Sequence, residues 1–336
     1  MADESPAPPL PPLYHACMAN DVALVRQLLE GGADPNDGES VYHSAQLNRA
    51  ECLELLLAHG ADLSGRNATY RNTPLYFLAG YREQDGGAKV AVEGMRWLLE
   101  HGADPNVTSY DTDETPLHAI ARNGWPPPVA KLLVQHGADV NGKRADGRTA
   151  YVLTLRTGNA PLAEYLRAQG ADTAGLMPID LLLAACMRDD ETEARAVLAG
   201  NPGLTTALTA DDRATIVQAV YERREASLRL MAKLGFNLGA EGGWGGTPLH
   251  HAAWLGNAPL VKLLLEFHAP VNVRDSEFGS SPLGWAAHGS VHHADQGGDY
   301  PAVVVALLDA GANRAASINK WGEPPEGMAS PRSQRC

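Results

Sequence analysis

What most constrains this 336-residue chain is a short unit that it repeats. The unit is clearest from Gly246 to Asn272. Thr247 suits a helix N-cap, because its hydroxyl can accept an orphan backbone N–H. Pro248 suits the first helical position, where a missing N–H costs nothing. Leu249, Ala252 and Ala253 make a narrow apolar stripe whose small side chains admit a neighbouring helix. Gly256 ends that helix, since glycine takes the left-handed conformation without a Cβ clash. Leu260, Val261, Leu263, Leu264 and Leu265 predict a second, more apolar helix. A unit this short cannot bury its own apolar face and needs neighbours on both sides. Leucine-rich helix ends running into Gly-Ala recur at Gly32, Gly60, Gly102, Gly137, Gly170 and Gly311. Gly137 and Gly170 lie 33 residues apart, as do Gly235 and His268, the residue that fills the glycine position before Ala269.

This unit resembles the ankyrin repeat, whose pattern is Thr-Pro-Leu-His-x-Ala followed by a Leu-Leu-x-x-Gly-Ala-Asp close, and the resemblance covers nearly the whole chain. It implies an all-α ankyrin-repeat solenoid of about nine helix-turn-helix repeats with short β-turn fingers. Residues 1–11, rich in proline, are expected to be a disordered tail. The solenoid is expected over 12–316, with strong repeats at 12–172 and 240–316 and degenerate ones at 173–239, followed by an incomplete capping repeat and tail at 317–336. In the degenerate stretch, Leu181–Cys186 pairs with Ala194–Leu198 and Asp211–Tyr221 with Leu228–Leu234 as predicted helices. Two repeats carry extra length, at Gly80–Val90 and Gly289–Tyr300; both segments are polar and glycine-rich and read as loops.

The formal net charge of −13 argues against nucleic acid, whose phosphates call for basic patches, and against anionic membrane surfaces. The four cysteines have no paired spacing and read as small core residues in a reducing compartment. No apolar run approaches the about 18 residues of a membrane span, and the N-terminus lacks a secretory signal. A cytoplasmic monomer is expected. The sequence is silent on export as a host-directed effector. It carries no Gly-x-Ser-x-Gly elbow, phosphate loop or paired-cysteine zinc signature, so neither catalytic residues nor a cofactor nor a metal is expected. His288, His292, His293 and Asp295 are the one dense cluster of ligand types. A continuing helix would put His288 and His292 on one face, but Gly289, Gly297 and Gly298 favour a polar loop. The alternative reading is an enzyme or metal-dependent module using His288–Asp295.

By the resemblance, His118 and His250 tie adjacent turns together by hydrogen bonding. His59, His101 and His136 precede the closing glycines, where an imidazole can meet the last helical carbonyls. The resemblance also implies a non-enzymatic protein–protein interaction scaffold that binds through turn tips and the concave ends of first helices. The tips map to Tyr70, Tyr110, Trp244 and Phe278. First-helix ends map to Gln46, Arg122, Asn123, Arg156, Trp254, Leu255 and His288. The expected partner-binding set is Trp244, Trp254, Leu255, Phe278, His288, Tyr110, Arg122 and Asn123. Rigid aromatics are enriched at binding hot spots, which makes Trp244, Trp254 and Phe278 the expected anchor.

Overall fold

The structure, a computed structural model, describes residues 10–67, 71–80, 88–242 and 245–328. Within them the repeats fold as pairs of antiparallel helices in two compact units. The first unit, Met1–Thr154 with Asn159–Ala174, holds the pairs α1–α2 (Pro12–Met18, Val22–Glu30), α3–α4 (Ser40–Gln46, Ala50–Ala58) and α5–α6 (Pro74–Gly80, Ala88–Glu100). It continues through α7–α8 (Pro116–Arg122, Pro127–Gln135) and α9–α10 (Ala150–Arg156, Ala160–Ala168). The second unit, Leu155–Gly158 with Gly175–Cys336, takes the last residues of α9. It holds α11–α12 (Pro178–Met187, Glu191–Gly200), α13–α14 (Ala210–Tyr221, Glu225–Lys233), α15–α16 (Pro248–Trp254, Ala258–Glu266), α17–α18 (Pro282–His292, Tyr300–Asp309) and a short α19 (Pro325–Met328). The weakly patterned stretch 173–239 thus forms helices where its apolar runs predict them.

Inside each unit, first helices pack on first helices and second helices on second helices. In the first unit Leu53, Leu56, Leu98 and Leu133 are fully buried in one core; in the second, Leu182, Leu228, Leu260 and Leu264 belong to another. Cys17, Cys52 and Cys186 are buried free thiols. No helix among the described residues is long and apolar enough to cross a membrane.

Each second helix except α12 closes in the same way. In the fourth repeat the Ala138 N–H donates to Leu133 O and the Gly137 N–H to Val134 O, both at 3.1 Å, a Schellman closure. Gly137 sits at φ 91°, and Gly32, Gly60 and Gly102 at 91°, 92° and 94°. That lies beyond the left-handed helical centre near +57°, so a side chain is strained there even in open space. His268 stays nearer that centre, at 59°, which is how a histidine can hold the glycine position.

Successive repeats are bonded through side-chain amides of the exit turn. Asn106 accepts from Asp139 N at 2.8 Å and donates to Gly137 O at 2.9 Å. Asn36, Asn141 and Asn272 bridge their own following repeats in the same manner. Imidazoles supply a second set of bonds. The His59, His101 and His136 Nδ1 atoms bond the carbonyl four residues back at 2.7–2.9 Å, as expected of those positions.

Arg156 departs from the sequence expectation. As a first-helix end it read as surface, yet it is 2% exposed. Its guanidinium bonds Asp180 Oδ1 and Asp212 Oδ1, each at 2.8 Å, with Asp211 at 3.1 Å. Asp180 and Asp212 stand third in α11 and α13, where one carboxylate oxygen caps the helix start and the other is left for Arg156. The expected loop at Gly289–Tyr300 is also corrected. Helix α17 runs on to His292, and Ala294–Gln296 is a 3₁₀ turn. A Cβ on Gly289 would lie 2.3 Å from Trp254 O, so that glycine serves close helix packing rather than a loop. Of the other insertion, 81–87 lie outside the described residues and α6 begins at Ala88.

Gly137→Val should cost about 1–3 kcal/mol through strain at the closure; a chemical-denaturation midpoint equal to the parent's contradicts that assignment. Arg156→Met removes the cation that balances two buried carboxylates and should cost about 3–5 kcal/mol. Amide exchange in α11 and α13 reads that loss directly, and protection at the parent level would show the cluster to be dispensable.

Candidate functional site

The second unit carries an aromatic cavity of about 310 Å³, lined by side chains from three consecutive first helices and two turn fingers. Helix α13 contributes Tyr221, α15 Trp254, and α17 Trp285 and His288; Phe278 comes from one finger and Trp321 with Glu323 from the next. The ring planes are steeply inclined to one another. Trp254 meets Trp285 at 79°, with centroids 6.4 Å apart, and Phe278 meets Trp285 at 63° and 5.8 Å. Trp254 also rests against His288, at 5.4 Å.

A buried carboxylate sets this geometry. Asp275 is 3% exposed and accepts hydrogen bonds from the backbone N–H groups of Phe278 and Ser280 and from the Trp285 indole, the last at 2.9 Å. One side chain therefore closes the finger that presents Phe278 and fixes the ring beneath it. The next finger copies the device with an amide. Asn319 Oδ1 accepts from Trp321 N and Glu323 N, while its Nδ2 donates to Glu323 Oε2 at 2.8 Å. The Lys320 N–H to Phe278 O bond, at 2.8 Å, joins the two fingers. Gly284 stands in α17 where α15 has His250, and a Cβ there would meet Ser280 Oγ and Ser317 O; the wall of the cavity depends on its absence.

The histidines beneath are held neutral. Thr247 N–H donates to His250 Nδ1, which leaves the proton on Nε2 for Ser280 O at 3.1 Å. His118 makes the corresponding bonds to Thr115 N and Arg148 O. Both therefore tie one turn to the next, as the resemblance implies. Burial lowers the His118 pKa and brings that of His250 down to about 4.

Of the residues that the sequence singles out, the structure brings Trp254, Phe278 and His288 to this cavity. Trp244 lies outside the described residues. Leu255 is 7% exposed and packs in the core, so it is corrected from surface to interior. Tyr110, Arg122 and Asn123 belong to the first unit and are engaged there. The guanidiniums of Arg66 and Arg71 lie 4.9 and 5.4 Å from the Tyr110 ring centroid. Arg122 bonds the buried Glu114, which also pairs with Arg144 at 2.7 Å, and Asn123 donates to Ala79 O and Gly80 O. Burial raises the Glu114 pKa, but Arg122, Tyr76 and Arg144 outweigh it and hold the carboxyl low. His288 and His292 share one face of α17, with ring centroids 4.2 Å apart. Among the described residues no group of three or more His, Cys, Asp or Glu side chains is arranged to hold a metal ion.

A family model of three ankyrin repeats matches residues 13–109 and 88–174, and a single-repeat ankyrin model matches 244–276, together more than half of the chain. The chain is an ankyrin-repeat protein. Its relatives include bovine cyclin-dependent kinase 4 inhibitor B, 30% identical over 162 residues, which are 48% of this chain and 92% of that protein. Human transient receptor potential cation channel subfamily A member 1 is 33% identical over 127 residues, 38% of this chain and 10% of the channel, so the chain spans a small part of that relative. Among solved structures, the human ASB11 ankyrin repeat domain is 21% identical, with 79% of this chain and 96% of that one covered and a TM-score of 0.37. Ankyrin-repeat proteins generally mediate protein–protein interactions.

Sequence reasoning missed Trp285, Tyr221 and Trp321. Trp285 occupies the ankyrin position that His251 takes in the preceding repeat, where a large ring was available to read. Tyr221 ends α13, the first helix of a weakly patterned repeat, and Trp321 follows the last clear motif, so no motif sets the register of either.

The neutral histidines give a signed expectation for pH. A folded pKa of His250 below the ordinary 6.5 means that its contribution is complete above pH 6.5 and is lost as pH falls through about 4. Unfolding free energy measured across that interval should fall with acidification, and His250→Gln should flatten the slope; an identical slope in the variant would reject the assignment.

Proposed function

We propose that this chain is a non-enzymatic protein-binding scaffold whose main contact surface is the aromatic cavity of the second unit. The observation that carries the reading is the convergence of Trp254, Trp285, Phe278 and Trp321 on one cavity, with Trp321 65% exposed. Exposed aromatic surface of this kind marks interaction sites, and Trp and Tyr dominate hot spots. The bovine relative is named as an inhibitor of a kinase, which agrees with action through binding. Trp244, in the finger of the eighth repeat, is retained as a proposed contact. Tyr110, Arg122 and Asn123 are secondary, since their polar and ring groups already have partners within the first unit. The proposal includes a cytoplasmic monomer that binds neither nucleic acid nor membrane, supported by the buried free thiols and the net charge of −13.

Trp254→Ala should weaken a partner recovered by affinity capture by about 2 kcal/mol or more with helical content unchanged. Trp321→Ala should act in the same direction. Lys262→Glu, on the exposed side of α16, should bind like the parent. The reverse pattern, both tryptophan variants at parental affinity and Lys262→Glu inactive, would move the interface to the second helices.

A further inference from the structure

The cavity also has a charge character. Its walls are ring systems, and among the described residues that line it the one with a formal charge at neutral pH is Glu323, held in place by Asn319 Nδ2. Desolvation and the neighbouring His292 lower the His288 pKa against the opposing pull of Glu323 and so favour its neutral form. A second carboxylate, Asp275, lies under Trp285, hydrogen-bonded to its indole. Aromatic faces carry negative quadrupole density and attract a cation within about 6 Å of the ring centroid. The protein itself shows the attraction. Lys320, which is not among the lining residues, places its ammonium 4.8 Å from the Trp321 centroid and 5.9 Å from that of Phe278, anchored by a 2.7 Å bond to Glu277 O. The whole chain, at −13, draws basic partners toward it.

We propose that the cavity bounded by Trp254, Trp285, Phe278, Trp321 and Glu323 receives the ammonium end of a lysine-type side chain, free or N-methylated, from a basic peptide segment of the partner. This rests on the reading of the cavity as the contact surface and adds the chemistry of what enters it. The aliphatic stem of such a side chain packs on the rings, and its charged end meets the ring faces and Glu323. A volume of about 310 Å³ suits the end of one long side chain. Methylation would raise affinity, since it exchanges hydrogen-bonding capacity for apolar contact with ring walls.

The test uses the full chain and three probes of matched shape: Nα-acetyl-lysine methylamide, its Nε-trimethyl form, and Nα-acetyl-norleucine methylamide, which lacks the charge. Tryptophan fluorescence and heteronuclear NMR titrations report binding. At least one cationic probe should bind about tenfold tighter than norleucine, the scale of a cation–π site that is partly desolvated. Glu323→Gln should weaken the cations several-fold and leave norleucine unchanged. Trp321→Ala should do the same to the cations, and since Trp321 is 65% exposed its loss leaves the core intact. Norleucine binding as tightly as the cations, with Trp254→Ala still abolishing it, overturns the charge assignment and leaves the contact surface standing. Failure of all three probes to shift any resonance of the cavity residues overturns both. Cation binding that survives Glu323→Gln and Trp321→Ala together places the cation elsewhere and also overturns the proposal.

Discussion

No repeat in this chain can bury its own apolar face, so every repeat depends on the backbone of the next. The apolar stripes supply the drive, but they are nearly interchangeable and would tolerate slippage. Register comes from polar side chains that reach exactly one repeat along. Asn106 spans to Asp139 and Gly137, and His118 to Arg148. Each such bond contributes about 1 kcal/mol on its own. Their importance lies in being directional, since a slipped stack would break them all at once and leave the buried imidazoles of His118 and His250 without their carbonyls. Stability in such an array accumulates from nearest-neighbour terms, and fingers and first-helix ends are thereby lined up along one side of each unit.

How far this was legible in the sequence depends on whether a residue's role is local. The closing glycines were readable because a left-handed cap is a local demand, and Gly137 meets it with the geometry its motif requires. His118 and His250 were readable through the motif that contains them. Arg156 was not. Its neighbours in sequence place it at a helix end, and only the fold brings up Asp180 and Asp212 to bury it. Gly289 misled for a related reason: glycine signals both a turn and close helix packing, and the Trp254 carbonyl that decides between them is 35 residues away. Leu255 looked like a surface residue after Trp254, whereas the corner turns it into the core.

The same distinction governs the site. Trp254, Phe278 and His288 could be named from their positions within repeats. Of the walls that complete the cavity, Trp285 sits in a well-patterned helix, whereas Tyr221 and Trp321 come from segments where the pattern has decayed. The first unit shows what an ordinary set of first-helix ends looks like. There Arg122 and Asn123 are bonded to Glu114 and to the carbonyls of the preceding helix, so the polar ends serve the stack itself. In the second unit the comparable places carry rings, which pack on one another without using up their exposed surface.

Trp321 belongs to the finger ahead of α19, which is joined to its neighbour by the Lys320 N–H to Phe278 O bond and the seat of Lys320 on two rings. Surface fingers held by a few bonds open at lower free energy than the packed helices beneath them. A cavity that borrows a wall from such an element exists only while that element is docked. Whatever occupies it is therefore thermodynamically linked to the opening of that finger: occupancy holds the finger closed, and each opening dismantles the site. Affinity and local order of the finger are two readings of one equilibrium.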